Sequence, residues 1–336
     1  MVHKAFHPFD ITDVAYKTVQ NHEVLTSILI PKTITPGKYP LGIRFHGGSL
    51  VHGSRLCEWV SPWVLSFAHS TPAIVLCPDY QLLPESNGIA ILSDLRDLWA
   101  WIHSSLATHL HALRPGLEID LSRVLVTGES AGGYVATQLV LQRALTERAE
   151  GEGGVCSIKA LVLHYPMLDL SAPWYNTPQP LSMPSWPTPA PGAVETWLRD
   201  LPDGLVISAS DPVPEEKRRV MMAAMWLQGL CGKWLVRGVD TKEEREAAFP
   251  FKMLERVKRE AGSVPPVLVV HGKEDDLVPV EGTEHFVQLM GRLFPDTPVV
   301  AKFEPGGHGF DDDFTVDVPV IREGLNFIDQ IPGKKG

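Results

Sequence analysis

The chain has 336 residues, 44% of them hydrophobic and 21% charged, and its formal net charge is −10 at pH 7. This composition is typical of one large globular domain with an insertion, and the acidic balance argues against nucleic-acid binding, which needs a basic face. The sequence shows no signal-peptide pattern and no run of about 18 apolar residues that could span a membrane. We therefore expect a cytoplasmic protein with neither a nucleic-acid nor a membrane partner.

Strands and helices alternate along most of the chain. A β-hairpin is predicted at residues 14–19 and 23–31, and apolar residues at helical spacing predict one helix over residues 88–110. This alternation predicts an α/β fold with a mostly parallel, doubly wound, eight-stranded sheet, whose ligand site lies beyond the carboxyl ends of the strands. The strands after the hairpin are predicted at residues 41–45, 73–77, 123–127, 161–165, 267–270 and 299–303.

Residues 171–263 interrupt this alternation. The segment begins with a proline-rich stretch, and helix-like stretches follow at residues 214–230 and 241–260. A proline-rich stretch of this kind could be a disordered linker, but its tryptophans need burial or a ligand. We therefore expect a helical cap inserted between the sixth and seventh strands, with the main domain formed by residues 1–170 and 264–336.

The pentapeptide Gly128-Glu129-Ser130-Ala131-Gly132 reads G-x-S-x-G and lies between an apolar, β-branched stretch and a helix-like stretch. A strand, a tight turn with small residues and a helix form the context of a nucleophile elbow. Glycines flank the serine because such a strained turn leaves no room for a β-carbon. The hydroxyl of Ser130 would then stand at a helix N-terminus, where free N–H groups can meet developing negative charge. The motif predicts Ser130 as a nucleophile.

Paired glycines follow the strand predicted at residues 41–45, in the tetrapeptide His46-Gly47-Gly48-Ser49. Acyl transfer passes through a tetrahedral oxyanion, which needs preorganised hydrogen-bond donors. Backbone N–H groups can serve where glycines let the main chain approach closely. In arrangements of this kind, one donor comes from the glycine loop and another from the residue after the nucleophile. We therefore expect the N–H groups of Gly47, Gly48 and Ala131 to form an oxyanion hole.

Two later segments supply an acid and a base. Residues 271–279 match the pattern H-G-x-x-D-x-x-V-P, which places Asp275 in register, with Asp276 as the alternative. An acid at this position would orient the catalytic histidine and stabilise its imidazolium form. His308 lies between glycines after another short strand. Because the unperturbed pKa of histidine is near neutrality, His308 suits the role of general base.

With these motifs the sequence resembles the hormone-sensitive-lipase-like esterase branch of the α/β-hydrolases, whose chain order Ser, Asp, His it shares. That branch also carries a D-Y-R-L-A-P-E segment, which reads D-Y-Q-L-L-P-E at residues 79–85 and is expected to be architectural. The resemblance covers about residues 40–145 and 265–330, and it implies a serine carboxylester hydrolase with a cap over its site. Ser49 departs from the family pattern, which has a third glycine there.

Similar sequences also serve as trans-acting thioesterases or acyltransferases in fungal polyketide pathways. The resemblance therefore implies a carboxylic ester or acyl thioester as substrate, with an acyl carrier protein as a partner in the second case. The first half-reaction is the same, because Ser130 forms an acyl-enzyme that water, an alcohol or another acceptor then resolves. A third hypothesis is a non-catalytic receptor, but such proteins usually lose a triad member and all three are present here. We expect a monomer or a homodimer.

Aromatic and sulfur-containing side chains predict the substrate pocket. Trp59 and Trp63 follow the oxyanion loop, and Trp186, Met222 and Trp226 lie in the predicted cap. Each of them could instead pack the cap on the core. No basic cluster is in place for a substrate carboxylate or phosphate, so we expect an uncharged, moderately hydrophobic acyl group.

The other histidines and acids are expected to have structural roles. No H-E-x-x-H motif occurs and the four cysteines lack metal-site spacing, so we expect no metal and no cofactor. His164 follows a strand core and is expected to be structural. Asp311, with Asp312 and Asp313, is expected to form a solvated turn.

Overall fold

The strands of the computed structural model form one sheet across the part of the chain that the structure describes, residues 3–57, 59–149, 158–179, 187–210 and 215–330. The strand order is β1-β2-β4-β3-β5-β6-β7-β8. Pairing is antiparallel for β1 with β2 and for β2 with β4, and parallel for every other pair. The bounds are β1 Phe9–Val19, β2 His22–Pro31, β3 Gly37–Phe45, β4 Ile74–Pro78, β5 Leu117–Glu129, β6 Ile158–His164, β7 Val267–Gly272 and β8 Val299–Glu304.

The sheet confirms the predicted eight-stranded, mostly parallel, doubly wound arrangement. The predicted hairpin is its antiparallel edge, and its turn residues Gln20 and Asn21 both have positive φ. The helices after a short 3₁₀ turn at Lys4–Phe6 are α1 Pro62–Ser70, α2 Gly88–Ser104, α3 Leu106–Leu113, α4 Ala131–Ala149, α5 Pro173–Asn176, α6 Ala193–Arg199, α7 Glu215–Gln228, α8 Cys231–Leu235, α9 Lys242–Ala247, α10 Pro250–Arg259, α11 Val280–Leu293 and α12 Pro319–Gln330.

Two helices that were predicted as single elements are each divided in two. The helix expected over residues 88–110 ends before Ser105, whose φ of −130° breaks the helical path. The stretch expected over residues 241–260 ends before Phe249, which has extended dihedral angles because Pro250 follows it and starts α10. Periodicity alone predicted continuity because the apolar spacing carries on across both breaks.

Alternate residues of the central strands face opposite layers of helices. In β6, Leu161 and Leu163 belong to the larger hydrophobic cluster, which includes buried residues of α2, α4, α10 and α11. Ala160 and Val162, which alternate with these leucines, belong to a second cluster that includes residues of α1 and α12. Because successive side chains of a strand point to opposite faces, both faces of this sheet are covered, which is the property of a doubly wound fold.

The insertion between β6 and β7 contains α5 to α10. Its last helix, α10, buries Met253, Leu254 and Val257 in the larger cluster and packs against α4 and α11. It is therefore part of the helix layer on the sheet rather than a cover above it. The division into a main domain and a cap at residues 171–263 stays a prediction.

Candidate active site

Ser130 occupies a sharp turn between β5 and α4. Its φ is +54°, a left-handed conformation that non-glycine residues rarely adopt. The turn is held from both sides, because Ser130 N–H donates to the carbonyl of His164 at 2.9 Å and the Ser130 carbonyl accepts from Met167 N–H at 2.9 Å. The strained conformation presents the hydroxyl at the carboxyl edge of the sheet, as an elbow requires.

The glycines of the motif are required by close packing of backbone on backbone. A β-carbon built on Gly128 would lie 2.1 Å from the carbonyl oxygen of Gly132, and one built on Gly132 would lie 2.1 Å from that of Phe45. Neither contact can be relieved by rotating a side chain. The elbow therefore needs glycine on both sides of the serine for steric reasons.

Ser130, His308 and Asp275 lie in one hydrogen-bonded row. His308 Nε2 is 3.1 Å from Ser130 Oγ, and His308 Nδ1 is 2.8 Å from Asp275 Oδ2. Because the carboxylate accepts from Nδ1–H, Nε2 is left as the acceptor for the serine hydroxyl. Asp275 is buried, whereas the alternative acid, Asp276, is exposed. Of the two acids, the geometry therefore favours Asp275 as the partner of His308.

The carboxylate of Asp275 accepts hydrogen bonds from several protein groups. Burial by itself would raise its pKa, but hydrogen bonds from His271 and His308, together with the N–H of Val278, outweigh burial and hold the pKa well below 3.8. The second oxygen accepts from the N–H groups of Leu277 at 3.0 Å and Val278 at 2.8 Å. Asp275 is therefore a carboxylate at neutral pH, ready to stabilise an imidazolium.

His271 is a further residue in contact with Asp275, and it was not among the residues predicted from the sequence. Its Nε2 lies 3.2 Å from Asp275 Oδ2 and its Nδ1 lies 2.7 Å from the hydroxyl of Thr283. The signal was present, since His271 opens the same H-G-x-x-D pattern that identified the acid.

The oxyanion loop lies directly against the nucleophile. A β-carbon on Gly47 would be 3.3 Å from the β-carbon of Ser130 and 3.2 Å from the carbonyl oxygen of Glu129. Gly48 has a φ of +100°, so it adopts a conformation that favours glycine. Ala131 begins α4, and the first N–H groups of a helix have no intrahelical partner. The three expected oxyanion donors are thus grouped around Ser130, and their role stays a prediction.

Ser49, where the resembling branch has glycine, also adopts a positive φ of +58°. Its hydroxyl accepts a hydrogen bond of 3.1 Å from the indole N–H of Trp226. The loop is further fixed by the hydroxyl of Tyr80, which donates to the carbonyl of His46 at 2.8 Å. Burial lowers the pKa of His46 to about 3, so its ring is neutral and its Nδ1–H donates to the Gly47 carbonyl.

A cavity of about 400 Å³ opens above Ser130 and His308. Trp59 and Met222 line it, as expected from the sequence. Trp186 lies outside the described residues. The wall also contains His52, Tyr165, Arg219, Leu277 and Asp312.

The structure contradicts the pocket predictions for Trp63 and Trp226, because neither side chain lines this cavity. Both are buried and both satisfy their indole N–H elsewhere, Trp63 on Asp311 and Trp226 on Ser49. A buried indole N–H needs an acceptor, and these acceptors draw the two rings away from the cavity.

Asp311 is not part of a solvated turn, as the sequence suggested. Its exposure is 0%, and its carboxylate accepts from His164, Trp63 and Ser61. His164 has the structural position that was expected. The neighbouring Asp312 lines the cavity, and burial together with the charge of Asp311 raises the pKa of Asp312 to about 6.

The D-Y-Q-L-L-P-E segment is architectural in this structure. Asp79 pairs with Arg55 at 2.7 Å, and Glu85 pairs with Arg218 of α7 through two contacts of 2.8 Å. Arg218 also donates to the carbonyls of Val51 and Leu83, both at 2.7 Å. These bonds connect the segment, the oxyanion loop and α7.

Within the described ranges, no group of three or more His, Cys, Asp or Glu side chains is arranged to hold a metal ion. In the same ranges, no helix has the length and apolar character needed to cross a membrane.

Known sequences that resemble this chain include hydrolases. Residues 43–201 match the sequence profile of the alpha/beta hydrolase fold. The chain is 29% identical to a probable carboxylesterase of a Phoma species, over 96% of each chain. It is 28% identical to a probable carboxylesterase of Cochliobolus lunatus, over 61% of this chain and 86% of the other. It also matches a non-reducing polyketide synthase of Emericella nidulans, with 25% identity over 83% of this chain and 12% of the synthase.

Solved structures share the fold. The esterase LipW of Mycobacterium marinum superimposes with a TM-score of 0.56 and 18% identity, covering 96% of this chain and 82% of its own. Esterase B of Lactobacillus rhamnosis superimposes with a TM-score of 0.61 and 16% identity, covering 98% of this chain and 88% of its own. At these identities the likeness shows the fold alone.

Proposed function

We propose that this chain, a serine ester hydrolase of the α/β-hydrolase fold, uses Ser130 as nucleophile, His308 as general base and Asp275 as the acid that orients the histidine. The observation that carries the assignment is the unbroken row from Ser130 Oγ through His308 to Asp275, at 3.1 Å and 2.8 Å. Ser130 and His308 line the cavity, and Asp275 is buried. The row is therefore part of the cavity rather than a contact between exposed side chains.

Acylation begins when Ser130 Oγ attacks the carbonyl carbon of the substrate while His308 Nε2 takes the hydroxyl proton. The carbonyl π bond opens and its electron pair moves to the oxygen, which the N–H groups of Gly47, Gly48 and Ala131 would stabilise. The carboxylate of Asp275 stabilises the imidazolium that forms.

The tetrahedral intermediate then collapses. The carbonyl re-forms, the bond to the alcohol or thiol oxygen or sulfur breaks, and His308 gives its proton to that leaving group. Water then attacks the acyl carbon while His308 Nε2 takes a proton from it. When this second intermediate collapses, the bond between the acyl carbon and Ser130 Oγ breaks and His308 returns the proton to Oγ. The products are a free acid and the restored hydroxyl of Ser130.

The cavity supports an uncharged, moderately hydrophobic acyl group. Trp59, Met222 and Leu277 supply apolar wall, and a volume of about 400 Å³ suits a small acyl chain. Three charged side chains also reach the wall: Arg219 from α7, Asp312 beside His308, and Glu129. Glu129 is paired with the buried Arg44, and the charges of Arg219 and Asp312 are opposite. The wall therefore provides no excess charge for an ionic acyl group. Arg219 and Met222 of α7 line the cavity, which supports a cap formed by the part of residues 171–263 that precedes α10.

A second candidate is acyl transfer or thioester release in a polyketide pathway, with an acyl carrier protein as partner. The observation that favours it is the match to segments of polyketide synthases, such as the 12% of the Emericella nidulans enzyme. The carboxylesterase match over 96% of both chains supports simple ester hydrolysis more strongly. A monomeric or homodimeric state stays a prediction.

The decisive test compares the wild type with Ser130→Ala on p-nitrophenyl butyrate and on a fluorophosphonate probe. We expect the wild type to turn over the ester and to carry the phosphonate on Ser130, and the variant to lose about 10⁴-fold or more of kcat and all labelling. Turnover by a folded Ser130→Ala variant at the wild-type rate would reject the proposal.

The two candidate reactions differ in the fate of the acyl-enzyme. Intact-protein mass spectrometry after mixing with an acyl thioester would show a short-lived adduct if water is the acceptor. An adduct on Ser130 that persists until an alcohol, amine or acyl carrier protein is added would favour acyl transfer.

A further inference from the structure

A second aspartate–histidine pair lies behind the catalytic row. Asp311 Oδ2 is 2.8 Å from His164 Nδ1, and neither side chain is exposed. Asp311 follows His308 by three residues in the same loop, and His164 is the last residue of β6. The pair therefore joins the loop of the general base to the end of a central strand.

The Asp311 carboxylate has further donors. The indole N–H of Trp63 donates to Oδ2 at 2.9 Å, and the hydroxyl of Ser61 donates to Oδ1 at 3.2 Å. Burial by itself would raise the pKa of Asp311, but the contacts with His164, Trp63 and Ser61 outweigh it and lower the pKa. A buried carboxylate with donors from separate segments is costly to displace, because each lost partner leaves a charge less solvated.

Each segment that Asp311 joins also takes part in the site. The carbonyl of His164 accepts the N–H of Ser130 at 2.9 Å, so the end of β6 lies directly beneath the nucleophile. The next residue, Tyr165, packs edge-on against the ring of His308, with ring centroids 4.7 Å apart. The ring of Trp63 stacks on His164 at 4.7 Å. Asp311 is thus bonded to the strand end that supports both Ser130 and His308.

The loop that carries His308 needs such an anchor. Gly306 and Gly309 lie on either side of the histidine with φ values of +129° and +76°, conformations that favour glycine. A displacement of about 1 Å between reacting groups can lower a rate by about 100-fold. Before the histidine the loop is held by the N–H of Glu274, which donates to the carbonyl of Gly306 at 3.0 Å, and Asp275 holds the imidazole itself at 2.8 Å. After the histidine, the side chain of Asp311 supplies the buried contact.

We infer that Asp311 is a positioning residue: by binding His164, Trp63 and Ser61, it holds the His308 loop against the strand end beneath Ser130 and so keeps Nε2 within reach of Oγ. The inference rests on the proposed function, since it concerns the same base and nucleophile. Asp311 itself touches neither the substrate nor the reacting atoms.

The test measures kcat and KM for p-nitrophenyl butyrate with Asp311→Ala, which removes both acceptor oxygens, and Asp313→Ala serves as the control because Asp313 is an exposed aspartate in the same loop. We expect Asp311→Ala to lower kcat by about 10- to 100-fold with KM within about 2-fold, and phosphonylation by the fluorophosphonate probe to slow in parallel. The control should stay within about 2-fold of the wild type.

A second pair of variants tests the same contact from the other side and decides the question if Asp311→Ala does not fold. In His164→Asn the amide nitrogen takes the place of Nδ1 and can still donate to Asp311, whereas His164→Leu removes the donor. We expect His164→Asn to retain at least 5-fold more kcat than His164→Leu when both are compared at equal folded fraction.

Two results would overturn the inference: a folded Asp311→Ala variant with wild-type kcat, or equal kcat for the two His164 variants. Ser130→Ala in the same assay separates this failure from failure of the proposed function. If Ser130→Ala is inactive while the Asp311 and His164 variants behave as the wild type, only the positioning role is rejected. If Ser130→Ala stays active, the proposed function itself is rejected.

Discussion

His271 contacts the carboxylate that accepts from His308. Nε2 of His271 lies 3.2 Å from Asp275 Oδ2, and Nδ1 of His308 lies 2.8 Å from the same oxygen. The hydroxyl of Thr283 lies 2.7 Å from His271 Nδ1 and can donate to it, and the carbonyl oxygen of Val278 lies 3.0 Å from His271 Nε2. Both contacts place the proton on Nε2, where the Val278 carbonyl and the Asp275 carboxylate share it. Asp275 is thus held by one histidine while it orients another.

This contact predicts a graded effect of substitution at His271. Glutamine can place an amide nitrogen near the position of Nε2, whereas leucine cannot donate. We expect His271→Leu to lower kcat by about 10-fold with little change in KM, and His271→Gln to stay within about 3-fold of the wild type. Steady-state kinetics on p-nitrophenyl butyrate measure both, and equal losses would show that His271 acts only through packing.

Substitution at Asp275 and Asp276 separates the two acids that the sequence left open. Asp275→Asn should lower kcat by roughly 10⁴-fold, because the amide cannot stabilise the imidazolium and favours the wrong tautomer. Asp276→Asn should stay within about 2-fold, since Asp276 is exposed. If Asp276→Asn caused the larger loss in kcat, our assignment of the acid would be wrong.

Asp312 should affect the pH dependence of turnover. Its pKa is raised to about 6, first by burial and then by the charge of Asp311, and it interacts electrostatically with His308. Above pH 6 the ionised carboxylate of Asp312 can stabilise the imidazolium that forms during acylation, whereas below pH 6 it is neutral. In Asp312→Asn the amide is neutral at every pH, so the ratio of kcat/KM in the variant to that in the wild type should be about 1 at pH 5 and fall by up to about 2-fold at pH 8. A ratio that rises between pH 5 and pH 8 would contradict this sign.

Met222 should set the length of the acyl chain that fits the cavity. A tryptophan at this position would occupy part of the volume of about 400 Å³ above Ser130. We expect Met222→Trp to lower the ratio of kcat/KM for octanoate over acetate p-nitrophenyl esters by about 10-fold or more. Met221→Leu is the matched control, because Met221 is buried in the core and does not line the cavity. An unchanged ratio would remove Met222 from the acyl site.

The ion pair of Arg218 and Glu85 should be essential for stability. Both side chains are fully buried, and the indole N–H of Trp197 also donates to Glu85 at 2.7 Å. Arg218→Met leaves a buried carboxylate without its cation and should lower the free energy of unfolding by about 3–5 kcal/mol. The double variant Arg218→Met/Glu85→Gln should recover part of this loss in urea unfolding, whereas a further loss would show that the charge of Glu85 is not the cause.

The motifs that were readable in the sequence are those whose requirements are local. Gly128 and Gly132 are needed because backbone atoms a few residues away, or on the adjacent strand, leave no room for a β-carbon. The same holds for Gly48, where a β-carbon would lie 2.0 Å from the carbonyl oxygen of His52. The order of strands and helices was also predictable, because it depends on periodicity within each segment.

Contacts between residues far apart in the chain could not be predicted from the sequence. The carboxylate of Asp311 meets His164, which is 147 positions away, and Trp63, which is 248 positions away. The three consecutive aspartates therefore predicted a solvated turn, although the first of them, Asp311, is buried and accepts hydrogen bonds from His164, Trp63 and Ser61. The error at Trp63 has the same origin, because its acceptor lies in a distant loop.

The sequence by itself determined the fold class, the nucleophile elbow, the oxyanion loop and the candidate base, since steric demands on glycine and the chemistry of serine and histidine are properties of short segments. Only the tertiary structure decided which acid faces His308, which tryptophans reach the cavity and which polar groups support the row. Those choices depend on where buried donors find acceptors, and that is settled only when loops separated by more than a hundred residues come together at one edge of the sheet.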